Sequence, residues 1–430
     1  MGGASAWHLG VHHSGLWAAS HAGAGFAETA EYAGVFAPGK TPPPWWEVIL
    51  YRWYDATVCA ANFANHPMFA YHGSEDKQGQ STQIMKRFAE KEGVTIQEFV
   101  GPGVGHKYEA GTKKEILEKL GVVVSKGKSI EVGIDGKIPE TYRYTTYSLA
   151  YPIEPGEGWF QIWGLDKQWE RADIKMTWNN KHVATFTTKN VSEFVFMGGS
   201  VERVIVDGMV AHEGPFYISL VLRKQNGKWI RENRAEPTSS SKTHNLCGPI
   251  DHAFMDNFVF VKPTGTPLND KLGAWTQREL AHATEQWRGI FRGDAPTVDD
   301  TKLTDAQIAS SNLILWGDPS SNAILKRIAD KLPVKWTAEG VEFGGKKYGA
   351  NHVPVLIFPN PLNPSKYVVL NSGFTFSRAA TSGTNSQQTP KLPDWAIVYI
   401  SVPPDDKFPG KIVDAGFFDE QWKFTTERPK

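Results

Sequence analysis

The sequence has 430 residues, about three domains by length, and 40% of them are hydrophobic, which excludes a disordered tail. The 46 Lys and Arg residues balance 46 Asp and Glu residues, so the formal net charge is zero. This balance argues against a dedicated binder of nucleic acid or of an anionic membrane surface, and no apolar run reaches the roughly 18 to 20 residues of a membrane span.

Residues 1–122 alternate between helix-like and strand-like stretches. Helices are predicted over residues 1–14, after a glycine-rich entry, and 48–63. Two strand-and-helix pairs follow, with strands at 67–72 and 95–100 and helices at 81–92 and 112–120. This order is typical of a parallel α/β sheet.

Residues 126–235 change character, because strand-like runs now follow one another with little helix. The predicted strands are 142–151, 159–164, 174–178, 183–188, 201–206 and 216–222. The dipeptides Asp207-Gly208 and Asn226-Gly227 are turn signals between them. Short strands at this spacing predict a β-sandwich-like domain.

Residues 244–430 return to alternating strands and helices. Helices are predicted at 272–291 and 323–332, among strands at 258–261, 312–316, 353–358, 367–370 and 395–402. This pattern predicts a small open-sheet α/β domain, and the fold class of the whole chain is therefore α/β.

Two polar residues of the first domain follow predicted strands. Asp76 ends the run His-Gly-Ser-Glu-Asp, and His106 ends the run Gly-Pro-Gly-Val-Gly-His after the next strand. Because open α/β sheets keep their sites at the carboxyl ends of strands, we expect the two side chains within hydrogen-bond reach. In a hydrolase a carboxylate orients a histidine, which takes a proton from serine. Each residue alone could equally be an ordinary turn or surface residue.

The first residues of the chain match the second half of another motif, the nucleophile elbow. The nucleophile elbow of hydrolases reads Gly-x-Ser-x-Gly on a strand-to-helix turn, where small residues let backbone segments approach. Aligned on that pattern, Met1 follows the nucleophile and Gly2 is the closing glycine, so the serine would stand directly before Met1. The alternative is a disordered start with no such role.

With these residues the sequence resembles bacterial prolyl-oligopeptidase-like and esterase-like α/β-hydrolases. Residues 1–25 are similar to that family's elbow, Gly-x-Ser-Met-Gly-Gly, and its following helix, and HGSED and GVGH are similar to its acid and histidine motifs. The resemblance covers about the first 120 residues. It implies Asp76 as triad acid, His106 as general base and the Met1 backbone amide as an oxyanion donor. The remainder is similar to the modules that follow the catalytic domain in large multidomain hydrolases.

The sequence departs from that family because it has no residue at the position of the nucleophilic serine. We expect a chain that begins just after the nucleophile, and hence the C-terminal half of a hydrolase sheet with an exposed edge through which chains associate. The alternative is a natural start at Met1 with the hydrolase half kept as a structural remnant. Ser5 is a weaker candidate nucleophile, because Trp7 stands where the elbow needs a small residue. The start lacks the features of a signal peptide. No localisation is assigned, and an extracytoplasmic one for a longer protein stays open.

Other motifs of the first domain favour structural roles. His8 and His12 share a helix face, with His13 and His21 nearby, but no carboxylate completes a metal-binding motif. The stiff segment 42–46, Pro-Pro-Pro-Trp-Trp, either shapes a substrate pocket or packs structurally.

Three features of the later domains are less informative. In the loop 317–322 a helix cap by Ser320 or Ser321 is favoured over an anion site. Asp251 and Asp256 either contact another domain or line a cleft. The two cysteines, Cys59 and Cys247, allow at most one disulfide.

Two classes of function follow. The first is a serine hydrolase, esterase or peptidase, that transfers an acyl group to a serine missing from this chain, so residues 1–430 alone are expected to be inactive. Its substrate is a small ester or peptide, carbohydrate-linked ones included, and no cofactor or metal is predicted. The second is a non-catalytic binding or interaction protein that uses residues 126–235 and 244–430.

Overall fold

The computed structural model describes residues 2–128, 141–151, 158–179, 182–198, 201–215, 219–233, 241–376 and 389–430. The chain divides into two compact units. Unit 1 is Met1–Pro43 with Tyr51–Pro237, and unit 2 is Pro44–Leu50 with Thr238–Lys430. The range 1–122, apart from residues 44–50, and the range 126–235 both lie in unit 1, and the predicted domain boundaries stay a prediction. Within the described ranges, no helix combines the length and the apolar character needed to cross a membrane.

A parallel sheet with helices forms the first part of unit 1. Its elements are α1 (Gly2–His12), β1 (Ser20–Gly23), α2 (Trp45–Tyr54, whose first residues belong to unit 2), a 3-10 helix (Ala56–Ala64), β2 (Met68–Gly73), α3 (Gly79–Lys91), β3 (Gln97–Gly101) and α4 (Ala110–Ser125). The strands pair in the order β1-β2-β3, all parallel, with Ser20 opposite Met68 and Phe69 opposite Gln97.

Strand β2 is central because it is apolar on both faces. Met68 and Ala70 pack in a cluster with residues of α1 and α3, among them Trp7 and Met85. Phe69 and Tyr71, which point to the opposite face, pack with residues of β3 and α4. Among the described residues the open edges of this sheet are therefore β1 and β3, the two neighbours of β2.

The single helix predicted over residues 48–63 is in fact two elements. Asp55 between them has an extended backbone (φ −74°, ψ 116°). Its Oδ1 accepts a hydrogen bond from the Thr29 hydroxyl at 2.6 Å, and the Ala56 amide donates to the Ala27 carbonyl at 2.9 Å. These partners lie more than 25 residues upstream, so helical periodicity could not reveal the break.

Two mostly antiparallel sheets complete unit 1. Their strands are β4 (Thr141–Thr146), β5 (Phe160–Leu165), β6 (Ala172–Asn179), β7 (Val183–Lys189), β8 (Val191–Phe196), β9 (Arg203–Val206), β10 (Met209–Glu213), β11 (Leu220–Gln225) and β12 (Lys228–Glu232). One sheet has the order β10-β9-β7-β6-β4 and the other β12-β11-β8-β5. Phe186 of the first contacts Phe160 and Phe194 of the second, with ring centroids 6.0 and 5.0 Å apart. The start of the strand predicted at 216–222 lies outside the described residues.

Unit 2 is built on a mixed sheet of order β14-β13-β15-β20-β19-β21-β22, in which β14, β13, β15 and β20 are parallel. The strands are β13 (Phe258–Lys262), β14 (Thr297–Asp299), β15 (Asn312–Leu315), β16 (Val334–Thr337), β17 (Gly340–Phe343), β18 (Lys346–Gly349), β19 (His352–Asn360), β20 (Asn363–Leu370), β21 (Trp395–Tyr399) and β22 (Lys411–Gly416). The helices are α5 (Asp270–Phe291), α6 (Asp305–Ser310) and α7 (Ala323–Ile328), with 3-10 helices at Ile250–Phe254, Asp300–Lys302 and Ala329–Lys331. Strands β16, β17 and β18 form a separate antiparallel sheet.

Candidate active site

The two residues that follow β2 and β3 meet at the carboxyl edge of the parallel sheet. Asp76 lies three residues after β2 and His106 five residues after β3. His106 Nδ1 and Asp76 Oδ2 are 2.8 Å apart, which is a hydrogen bond. Because an ionised carboxylate only accepts, His106 Nδ1 is the donor. The structure thus brings together the two side chains that the sequence motifs single out.

The Asp76 carboxylate is held from its other side. Its Oδ1 accepts a hydrogen bond from the Gln78 amide at 2.9 Å, and the Asp76 amide donates to the Gly73 carbonyl at 3.1 Å. The Asp76 side chain is only 6% exposed. One oxygen is therefore committed to the turn, which directs the other toward His106.

The loop that carries His106 is bonded to the end of β2. The Glu75 amide donates to the Val104 carbonyl at 3.0 Å, and the Gly103 amide donates to the Ser74 hydroxyl at 2.9 Å. A Cβ at Gly73 would overlap the Val104 carbonyl oxygen, so this close approach requires glycine. Ser74 and Gln78 support the site, and sequence analysis missed both. Their polar side chains within two residues of Asp76 were the available signal.

His106 presents its second nitrogen away from Asp76. Its side chain is 64% exposed, and Nε2 has no hydrogen-bond partner among the described residues. A carboxylate on Nδ1 favours the tautomer in which Nε2 carries a lone pair. The arrangement can therefore accept a proton at Nε2 and stabilise the resulting imidazolium.

The start of α1 lies near the same edge of the sheet. A Cβ at Gly25, which has φ +86°, would overlap the Ala4 amide nitrogen in the first turn of α1. The Gly25 amide in turn donates to Gln78 Oε1 at 3.2 Å. A chain of contacts thus links the first turn of α1 to the Asp76 loop. Met1, the expected oxyanion donor, lies outside the described residues.

The other serine candidate is not bonded to this pair. Ser5 is exposed on α1, and within the described ranges no hydrogen bond joins it to His106. Trp7, two residues on, is fully buried against Phe63. An elbow at Ser5 would need a small residue at position 7, and this position instead holds a tryptophan that packs in the core.

The histidines of α1 pack against aromatic rings, with His12 buried and His8 half-buried. The His12 ring stacks on Tyr151 at 3.8 Å and lies 4.6 Å from the His8 ring. Burial lowers the pKa of His8 to about 4 and lowers the pKa of His12 well below its ordinary value. In the part of the chain that is described, no three His, Cys, Asp or Glu side chains are grouped so that they could hold a metal ion. His21 is bonded instead to the Tyr108 hydroxyl at 2.8 Å.

The tryptophans of segment 42–46 pack inside unit 2. Trp46 Nε1 donates to the Lys391 carbonyl at 3.1 Å, and the Trp45 ring contacts Phe417 and the Arg428 guanidinium. This favours the structural interpretation of these two residues.

The remaining candidates of unit 2 bind parts of their own unit. In the loop 317–322 the helix cap is Asn322, whose Oδ1 accepts from the Ile324 and Leu325 amides, and not Ser320 or Ser321. Two further carboxylates have local partners: buried Asp251 accepts from the Thr375 and Phe376 amides, and Asp256 pairs with Lys366 at 2.5 Å. Burial raises the pKa of Asp251 to about 6. Cys59 and Cys247 are both buried, and no disulfide joins them.

Comparisons with known proteins give little similarity. No protein-family model matches the chain, and no curated protein matches it. Among solved structures, a candidate dipeptidyl aminopeptidase IV from Bacteroides ovatus ATCC 8483 is similar over 29% of this chain and 18% of that chain, with 13% sequence identity and a TM-score of 0.22. The matched region thus spans less than a fifth of that protein, and a functional assignment rests on the geometry of the site.

Proposed function

We propose that Asp76 and His106 are the acid and the general base of a serine hydrolase of the prolyl-oligopeptidase-like or esterase-like type. The observation that carries the proposal is the 2.8 Å hydrogen bond between Asp76 Oδ2 and His106 Nδ1, at the carboxyl edge of a parallel sheet. The exposure of the His106 ring supports it, because a general base must reach its substrate.

The proposed reaction is acyl transfer. His106 Nε2 takes the proton of a serine hydroxyl while the serine oxygen attacks the carbonyl carbon of an ester or peptide. The bond to the leaving alcohol or amine breaks, and His106 returns the proton to that leaving group. Water then attacks the acyl-serine with His106 again as base, which releases the acid and restores the serine. Asp76 holds the ring and stabilises the imidazolium throughout.

The proposal places the nucleophile directly before Met1, as the elbow pattern predicts. The contact between Gly25 and the first turn of α1 supports this placement, because it brings that end of the helix toward the Asp76 loop. Residues 1–430 then supply the acid and the base without this serine. We therefore expect no serine-hydrolase turnover from these residues alone.

A turnover assay tests the proposal. The protein for this assay is residues 1–430 preceded by a strand that ends in Gly-x-Ser, and the substrates are a short-chain aryl ester and a dipeptide anilide. We expect His106→Ala to lower kcat on the order of a millionfold and Asp76→Asn about ten-thousandfold. His352→Ala is the control, because the His352 ring is bonded to the Gly349 carbonyl in unit 2. Turnover that survives His106→Ala would refute the role of His106.

A further inference from the structure

One buried hydroxyl group binds the backbone on the far side of His106. Tyr71 in β2 is 3% exposed, and its ring packs with Phe69, Phe99 and Ile116 beneath α4. Its hydroxyl, in contrast to its ring, contacts the loop that carries His106. The Glu109 amide donates to the Tyr71 hydroxyl at 2.8 Å, and the hydroxyl donates to the Lys107 carbonyl at 2.9 Å. Both partners are within three residues of His106.

The loop is therefore bonded on both sides of the histidine, to the turn that follows β2 on one side and to β2 itself on the other. Before His106, the backbone of residues 103 and 104 is bonded to Ser74 and Glu75. After His106, residues 107 and 109 are bonded to Tyr71. Asp76 belongs to the same continuous run as Tyr71, five residues further on. The position of His106 relative to Asp76 is thus set by a single strand and the turn that follows it.

The contact is also specific in geometry. A hydroxyl that accepts one hydrogen bond and donates another uses its only proton, so its two partners fix its orientation. The Tyr71 ring stacks on Tyr108 with centroids 4.4 Å apart, which fixes the ring plane. A phenylalanine would preserve the packing of the ring and lose only the two bonds to the loop.

We propose that Tyr71 is a positioning residue for His106, acting through the backbone of residues 107–109. The inference rests on the proposed function of His106 but makes a separate claim about geometry. Catalytic groups need placement within about 0.5 Å, and a misplacement of about 1 Å costs about a hundredfold in rate. A loop released on one side would let the His106 ring leave the Asp76 carboxylate.

The test is made on residues 1–430 with ¹⁵N-labelled histidine. The ring nitrogen shifts of His106, assigned with His106→Ala, report its tautomer, and hydrogen exchange of the Glu109 amide reports the loop. We expect a single tautomer protonated at Nδ1 and a protected Glu109 amide. In Tyr71→Phe we expect a mixture of tautomers and exchange of the Glu109 amide about tenfold faster, as for one lost hydrogen bond.

Tyr108→Phe is the matched control. It removes the hydroxyl that contacts His21 and keeps the stacked ring, so the tautomer of His106 should not change. A single unchanged tautomer in Tyr71→Phe would overturn the positioning role. An unprotected Glu109 amide in the unaltered chain would overturn it too, even if the variant failed to fold. Absence of turnover in the assay above would count against the proposed function and leave this result unaffected.

Discussion

Asp76 in unit 1 and Asp318 in unit 2 occupy the same place relative to a strand but have different partners. Each lies three residues after a buried parallel strand, β2 or β15. Each uses Oδ1 to accept from the amide two residues on, at 2.9 Å from Gln78 and 2.8 Å from Ser320. The Oδ1 atom of each aspartate thus makes the hydrogen bond that is typical of aspartates in turns.

The second oxygen makes the difference. Asp76 Oδ2 binds the imidazole of His106, whereas Asp318 Oδ2 accepts from the Leu268 amide at 3.2 Å, and the Ser321 amide adds a further bond to Oδ1 at 3.0 Å. One carboxylate therefore faces a group that can move a proton, and the other faces only backbone. A carboxylate after a strand becomes a candidate for chemistry through its partner and not through its place in the fold.

The largest effect should come from removing the structural aspartate. Asp318→Ala leaves the amides of Leu268, Ser320 and Ser321 without their acceptor, so we expect a loss of about 3 to 5 kcal/mol in the free energy of unfolding of unit 2. Asp76→Ala should cost only about 1 kcal/mol, because its partners, the Gln78 amide and the exposed His106 ring, can bond to water instead. Urea unfolding monitored by hydrogen exchange gives the free energy of unfolding of each unit separately. Equal losses of stability in the two variants would contradict the distinction between a structural Asp318 and a catalytic Asp76.

Buried histidines give the next effect, and they contrast with exposed His106. His66 accepts from the Ser20 hydroxyl at 2.8 Å and donates to the Ser14 carbonyl at 3.0 Å, and burial lowers its pKa to about 4. The unfolded chain, with a histidine pKa near 6.5, binds the proton first as the pH falls. The stability that neutral His66 provides is therefore present above about pH 6.5 and is lost as the pH falls toward 4.

Between pH 7 and pH 5 this amounts to about 2 kcal/mol for His66. His8 and His252, whose pKa values burial also lowers to about 4, should each add a similar loss. The measurement is the free energy of unfolding as a function of pH, and His66→Gln should remove the contribution of that residue. A slope that His66→Gln leaves unchanged would show that His66 is not buried in the neutral form.

Part of the site could be predicted because adjacent parallel strands end at one edge of a sheet. The motifs around Asp76 and His106, each placed after a predicted strand, were sufficient for that. The break at Asp55 could not be predicted, because Thr29 and Ala27 cause it from a distant loop. The cap at Asn322 was missed for a different reason. All three residues from Ser320 to Asn322 are good caps, and the turn held by Asp318 decides where the helix begins.

Substitutions of two glycines should have effects of opposite sign on stability. A Cβ at Gly73 would overlap the backbone carbonyls of Val104 and Gly105 in the loop before His106, so Gly73→Ala should cost about 3 kcal/mol. Gly121, in the exposed part of α4, has open space around it, so Gly121→Ala should stabilise by about 0.5 to 1 kcal/mol. Thermal unfolding of the pair measures both. A stabilising Gly73→Ala would mean that the His106 loop is not packed on β2.

The central claim is that Asp76 and His106 form the acid and base of a serine hydrolase, and covalent labelling tests it most directly. A fluorophosphonate is applied to residues 1–430 and to the same residues preceded by a strand that ends in Gly-x-Ser, and mass spectrometry locates the label. We predict label on the added serine alone, lost in His106→Ala and kept in His352→Ala. Label on Ser5 that depends on His106 would identify Ser5 as the nucleophile in place of the added serine. Label on the added serine that is undiminished by His106→Ala would contradict the account.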